Sequence, residues 1–201
     1  MGQTSPHTGP AHTELPRLFG PVSFWAKRAC GQAVACDALF DKRRKEVHRY
    51  TIADVNGPLS LTVPIVKPHG KAYARWSDVR LSDHGQWWHI HRTALESAYG
   101  RTPFFEFYID RFLPFLSREA VETFPSVIDF NKAIDRQIEE ILLLPRACGQ
   151  VLPAGSAPEL TPYWQPRQEQ FGFLPDLSVL DLIFCLGPEA AIYIRKCYPS
   201  E

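Results

Sequence analysis

The 201-residue sequence lacks the features of a membrane or nucleic-acid-binding protein. No apolar run approaches the roughly 18 residues needed to cross a bilayer. Lysine plus arginine and aspartate plus glutamate each number 22, so the formal net charge is zero. Nucleic-acid binders usually carry a basic excess. We therefore expect neither a membrane nor a nucleic acid as partner, and we expect a cytoplasmic protein.

Motifs of metal and cofactor chemistry are also missing. The five cysteines are odd in number and form no Cys-x-x-Cys pair, which is typical of reduced thiols rather than of a disulfide framework or a zinc site. The sequence contains no GxSxG, no HExxH and no glycine-rich phosphate loop. We expect no metal and no cofactor.

The stretch SDHGQWWHIHR, residues 82–92, concentrates three of the seven histidines and two of the five tryptophans. Metal ligands on one face of a helix must be three or four residues apart. His89 and His91 are two apart and point in opposite directions, and His84 precedes the expected start of the helix. The spacing therefore argues against a metal site.

A stripe of this helix instead contains Trp87, His91, Leu95 and Tyr99 at steps of four residues. Two interpretations of His91 stay open. It is either a partly buried histidine satisfied by its neighbours, or an imidazole that acts as a general base. Asp83, just before the helix, is either a helix cap or a second functional residue.

The order of elements predicts an α/β fold, a single domain with an early β-hairpin or small sheet covered by later α-helices. Residues 1–14 are expected to form a disordered tail and 15–201 the domain. Alternating residues on both sides of an Asn-Gly turn predict a hairpin that pairs 47–53 with 59–66. Residues 32–39 are predicted to form a first buried strand.

Six helices are predicted from helical periodicity and from glycine or proline at their ends. Their approximate ranges are 21–30, 86–100, 104–116, 126–144, 177–187 and 188–197. A short strand is expected at 77–81. Residues 145–170, rich in proline, glycine and glutamine, are expected to form an extended connection with one strand at 148–152.

Four blocks of the sequence resemble the WbqC-like protein family. They are FGPVSFWAKRA, HRYTIADVNGPLSLTVPIVKP, SDVRLSDHGQWWHIHRTALESAYGRTPFFEFY and FLPDLSVLDLIFCLGPE, and the resemblance covers residues 18–195. It implies a Rossmann-like core and a transferase that adds an acyl or aminoacyl group to an activated amino-sugar in surface polysaccharide synthesis. The His-Gln-Pro motif of many members is absent here, which leaves a non-catalytic role open.

The resemblance and the helical stripe together assign roles to seven residues. The predicted substrate-binding residues are Arg49, Asn56, Trp87, Tyr99 and Asp181, and the predicted catalytic residues are His91 and Asp83. Arg49 carries over from an Arg-Asn-Arg segment of the family and would bind a phosphate or carboxylate. If Asp181 is buried in its apolar helix it needs a partner, and Arg49 is the natural one.

Three classes of function stay open at this point. The first is the transferase, whose partner is a small-molecule substrate such as a nucleotide-linked sugar. The second is a protein that binds such a ligand without chemistry. The third is an interaction module that uses the Trp- and Phe-rich segment 76–115, with a homo-oligomer as one outcome.

Overall fold

The structure, a computed structural model, describes residues 14–68, 70, 73–144 and 157–198. The strand predicted at 148–152 lies outside the described residues, as do residues 1–13 of the predicted tail. The helices are α1 (Val22–Ala29), α2 (Trp87–Tyr99), α3 (Phe105–Phe112), α4 (Arg118–Thr123), α5 (Val127–Ile141), α6 (Gln168–Phe171), α7 (Val179–Leu186) and α8 (Ala190–Lys196). The strands are β1 (Arg49–Asp54), β2 (Gly57–Thr62), β3 (Ile65–Val66) and β4 (Arg80–Leu81).

The predicted hairpin is confirmed as β1 and β2, which pair antiparallel from Arg49 opposite Thr62 to Asp54 opposite Gly57. The two-residue loop is Val55 and Asn56, so the asparagine of the expected Asn-Gly turn lies in the loop and the glycine is the first residue of β2. Gly57 takes the positive φ of 100° that the turn requires and that glycine adopts without steric cost. Inward-facing residues of β1 are buried, so the hairpin packs on the helices with one face.

The fold is mixed α/β, dominated by helices, with two antiparallel sheets of two strands each in the described part of the chain. The second sheet is β3 with β4, at the end of the predicted strand 77–81. A Rossmann-like core needs several parallel strands. Every pairing among the described residues is antiparallel, so that part of the expectation is not confirmed.

The predicted strand at 32–39 is wrong. These residues are half-buried or exposed, and the segment makes only one isolated bridge, between Leu39 and Arg75. Three of its eight residues are alanines, which bury little area and are poor strand formers. The segment is therefore held by single hydrogen bonds, such as that from Ala35 N–H to the Glu14 carbonyl.

All six predicted helices are present. α5 buries Val127, Phe130, Ile134 and Ile138, and α3 gives way to a single 3₁₀ turn that contains Pro114. Helix α4, six residues long, was not predicted because it is too short for a clear period. None of the helices in the described ranges combines the length and the apolar character needed to cross a membrane.

Candidate functional site

Helix α2 packs on the hairpin through His91, which is 2% exposed. The Nδ1 atom of His91 lies 3.2 Å from the Tyr50 hydroxyl, and Nε2 lies 3.3 Å from the carbonyl oxygen of Thr62. A carbonyl can only accept, so Nε2 carries the proton and Nδ1 accepts from Tyr50. Both ring nitrogens are therefore engaged inside the protein.

Burial lowers the pKa of His91 to about 4, against the opposing effect of the hydrogen bond to the Thr62 carbonyl. The ring is therefore neutral at pH 7. Burial also raises the pKa of Tyr50 well above its ordinary value, which keeps its hydroxyl protonated as the donor.

The other members of the stripe are also in the core. Trp87 is 2% exposed, donates from Nε1 to the Ser82 carbonyl at 2.9 Å, and meets the His91 ring edge-on. Tyr99 is fully buried, and its hydroxyl accepts from the backbone N–H of Ala53 at 3.0 Å. The stripe thus joins α2 to β1.

Asp83 and Asn56 are both exposed and lie apart from this contact. Asp83 precedes a 3₁₀ turn and its side chain makes no capping hydrogen bond, whereas Ser82 Oγ accepts from the His84 N–H. Asn56 is in the hairpin loop, at the opposite end of the strands from Thr62.

Asp181 is fully buried, and its Oδ2 accepts from the Tyr163 hydroxyl at 2.5 Å and from Gln165 Nε2 at 2.8 Å. Burial raises the pKa of Asp181. The expectation that Arg49 would be its partner is wrong. Arg49 is exposed at the start of β1, where its Nε donates to Thr62 Oγ1 at 2.8 Å.

Arg49 lines an open pocket of about 280 Å³ at the start of the hairpin. We call it the hairpin pocket. Its polar lining consists of Arg17, Glu46, Arg49, Tyr50, Thr51, Asp176 and Ser178. Tyr50 lines it while its hydroxyl is bonded to His91, so the buried histidine lies directly behind the pocket wall.

Three segments distant in sequence meet to form this pocket. The N–H of Ser178 donates to the Thr51 carbonyl at 2.8 Å, and its hydroxyl donates to the Phe19 carbonyl at 2.9 Å. The N–H of Val179 donates to the Gly20 carbonyl at 3.0 Å. These bonds fasten the segment before α1 and the loop before α7 to β1.

Two residues of the pocket have left-handed backbone conformations, Phe19 with φ of 42° and Asp176 with φ of 58°. Such conformations are unfavourable for side-chain-bearing residues and cluster at functional sites. The Asp176 carboxylate accepts from the N–H and hydroxyl of Ser23 at 2.7 and 2.8 Å, which holds the strained loop in place.

The charged side chains of the hairpin pocket differ in how many of their polar atoms already have a partner within the protein. Arg17 pairs with Glu14 at 2.7 Å, and Glu46 pairs with Arg44 at 2.9 Å. Arg49 uses only Nε, and its two Nη atoms make no hydrogen bond within the described ranges. Arg49 is therefore the cation of this pocket that is best placed to take an anionic group.

The sequence model of the WbqC-like protein family matches residues 24–148, which is more than half of the chain. The chain belongs to the WbqC-like protein family. The matched range includes Arg49 and His91, whereas Asp176 and Asp181 lie beyond it. It is also shorter than the range 18–195 over which the resemblance was expected. Comparison with curated proteins and with solved structures gives no match.

Several functional candidates of this WbqC-like chain were not predicted. Tyr50 and Asp176 were missed, although a Pro-Asp pair such as that at Asp176 is typical of turns, where aspartate tolerates the left-handed conformation. In the described part of the chain, no three His, Cys, Asp or Glu side chains converge into a group that could hold a metal ion.

Proposed function

We propose that this WbqC-like protein is a transferase that adds an acyl or aminoacyl group to an amino-sugar phosphate in surface polysaccharide synthesis. The observation that carries the proposal is Arg49, which lines an open pocket, donates from Nε to Thr62, and makes no hydrogen bond through its Nη atoms within the described ranges. A guanidinium held in this way binds a phosphate through two parallel hydrogen bonds. The family resemblance supports the sugar as the acceptor.

The dimensions and lining of the hairpin pocket suit a small polar acceptor. Its volume of about 280 Å³ is just below the usual range for ligand sites, which favours one sugar ring with an anionic substituent. Glu46 and Asp176 supply carboxylate oxygens that can accept from an amine or from hydroxyl groups.

The proposed reaction is acyl transfer from an activated ester. The amine nitrogen of the sugar forms a bond to the acyl carbon, and the bond from that carbon to the leaving group breaks with its electron pair on the leaving group. The proton lost by the amine passes to the carboxylate of Asp176, which lines the pocket.

His91 serves this proposal as a positioning residue, because its two nitrogens are bonded to Tyr50 and Thr62 and its pKa of about 4 keeps it neutral. It fixes the wall of the hairpin pocket and the strand residue that holds Arg49. A catalytic role for Asp83 stays a prediction, since Asp83 does not line this pocket.

The test begins with binding. Calorimetric titration of the full chain with glucosamine 1-phosphate is expected to show saturable binding that falls at least about tenfold in Arg49→Gln, the size of one lost charge-assisted interaction. Arg80→Gln, an exposed arginine on β4, is the matched control and should bind like wild type. Equal affinity in both variants would remove Arg49 from the site.

A second candidate function is binding of the same ligand without chemistry. It is favoured by the burial of His91, Trp87 and Tyr99, which leaves the predicted catalytic histidine without access to solvent. Incubation with glucosamine 1-phosphate and either acetyl-coenzyme A or a glycyl thioester separates the two. A product heavier by the acyl or glycyl group supports the transferase, whereas tight binding with no product supports the second candidate.

A further inference from the structure

A second and larger groove lies at the C-terminal end of α2. It has a volume of about 620 Å³ and is lined by Glu96, Ser97, Arg101, Thr102, Trp164 and Arg167 among others. We call it the α2 groove. It shares no lining residue with the hairpin pocket, and its volume lies well within the range of small-molecule sites.

Trp164 forms one wall of the α2 groove and is 54% exposed. Its neighbour Gln165 is 2% exposed, and it donates to Asp181 Oδ2 and to the Leu174 carbonyl. The buried Gln165 anchors the backbone, so that Trp164 is presented outward on a fixed support. An exposed indole on an anchored backbone is a surface on which a planar ring can stack.

Two guanidinium groups face the same groove. Arg167 has a left-handed φ of 62°, and its Nη atoms donate to the carbonyls of Ser97 at 3.2 Å and Ala98 at 3.4 Å. Its charge thus lies at the C-terminal turn of α2, where the helix dipole favours a cation. Arg101, exposed just beyond the helix, adds a second positive charge.

The net charge of the residues that line the α2 groove indicates the charge of the ligand that it can bind. Arg101 and Arg167 outnumber the single carboxylate of Glu96, so the α2 groove carries a net positive charge. Guanidinium groups bind phosphate oxygens through charge-assisted hydrogen bonds. Glu96 can accept hydrogen bonds from sugar hydroxyl groups.

We propose that the α2 groove binds a nucleoside diphosphate. The base stacks on Trp164, the phosphates lie between Arg101 and Arg167, and the ribose hydroxyls donate to Glu96. Stacking on tryptophan is tolerant of the base, because every base has a π-face. This binding does not depend on the hairpin pocket or on transfer chemistry.

The test is calorimetric titration of the full chain with uridine 5′-diphosphate and adenosine 5′-diphosphate, both of which are expected to bind saturably. Trp164→Ala and Arg101→Glu should each weaken binding about tenfold or more. The matched controls are Phe107→Ala, which removes another exposed aromatic ring, and Arg92→Glu, which inverts the charge of an exposed arginine on α2 outside the groove. Both controls should bind like wild type, and thermal unfolding midpoints verify that all four variants fold.

Four results would overturn the proposal. The first is no saturable binding of either nucleotide, and the second is unchanged binding in both groove variants. The third is equally tight binding of inorganic phosphate, which would mean that no ring is recognised. Loss of nucleotide binding in Arg49→Gln would also overturn it, because the ligand would then occupy the hairpin pocket. That outcome leaves the proposed transferase intact, so the failures of the two proposals are distinguishable.

Discussion

The Tyr50 hydroxyl and His91 Nδ1 lie 3.2 Å apart and join the hairpin to α2 inside the core. The other nitrogen of His91 holds the Thr62 carbonyl, and the Thr62 side chain holds Arg49. One threonine on β2 thus connects a buried histidine with an exposed arginine. The stability of the core and the geometry of the hairpin pocket therefore depend on the same contact.

Stability should fall as the pH drops because His91 is buried in its neutral form. Its folded pKa of about 4 lies below the ordinary value of 6.5, so between these pH values the unfolded chain binds a proton that the folded protein does not. The contribution is complete above pH 6.5 and is lost progressively toward pH 4, to a total of about 3 kcal/mol.

The measurement is urea denaturation of His91→Gln at pH 7 and pH 5. The decline of the unfolding free energy between these pH values should be about 2 kcal/mol smaller than in wild type. His89→Gln, on the exposed side of the same helix, should decline like wild type. An unchanged decline in His91→Gln would contradict the buried neutral ring.

Replacement of Tyr50 by phenylalanine should destabilise the protein by about 1–3 kcal/mol, because it leaves the buried Nδ1 of His91 without its donor. Chemical denaturation measures the loss. Tyr73→Phe is the control, since the Tyr73 side chain is 84% exposed and its hydroxyl is open to water. Equal stability of the two variants would mean that the Tyr50 hydroxyl contributes nothing.

Arg28 is the counterion of two acidic side chains on α5. It bonds Asp135 Oδ2 at 2.8 Å and also bonds the carboxylate of Glu139. Burial raises the pKa of Asp135 to about 7, although the charge of Arg28 opposes this rise. Arg28→Met should therefore destabilise the protein at pH 8 by about 3 kcal/mol or more, since it leaves a buried carboxylate unpaired.

The cost of Arg28→Met should shrink at low pH. The folded pKa of Asp135 lies above its ordinary value of 3.8. Between pH 3.8 and pH 7 the folded protein therefore binds a proton that the unfolded chain does not, so the free energy of unfolding decreases as the pH rises through this interval. At pH 5 the folded carboxyl is protonated and no longer needs a cation. Arg136→Met, at an exposed position of α5, is the control, and an equal loss for Arg28→Met at both pH values would contradict this account.

Asp181 is buried beside the neutral side chains of Tyr163, Gln165 and Tyr99, with no cation among its described partners. Its folded pKa is raised from 3.8, so its stabilising effect falls as the pH rises above that value. Asp181→Asn removes the charge and keeps an acceptor for Tyr163. Denaturation at pH 5 and pH 8 should show Asp181→Asn gaining stability relative to wild type at the higher pH, and a relative loss there would mean that the ionised carboxylate is favourable.

Helical periodicity was sufficient to predict the elements that position the site. In α2 and α5, apolar residues recur every three or four positions, as on the buried face of a helix. The hairpin is predicted by apolar and polar residues that alternate on both sides of an Asn-Gly pair. These signals are local in sequence. The strand predicted at 32–39 failed because its small residues form no buried face, and a short run of that kind has no period to test.

The site itself depends on contacts that no local pattern records. Arg49 was found by matching a motif of the family, whereas Asp176 reaches Ser23 across 153 residues. Two partners of Asp181 are Tyr163 and Gln165, which lie in a stretch expected to be an extended connection with one strand. A buried carboxylate indicates that a partner exists, but the sequence does not record whether that partner is a cation or, as here, neutral donors.

The most direct measurement for the central claim is a crystal structure of the full chain with glucosamine 1-phosphate. The sugar should lie in the hairpin pocket, with phosphate oxygens about 3 Å from the Nη atoms of Arg49. Its amine should face Asp176, and the contacts between Tyr50 and His91 should be unchanged. A ligand bound elsewhere, or in this pocket without contact to Arg49, would contradict the account.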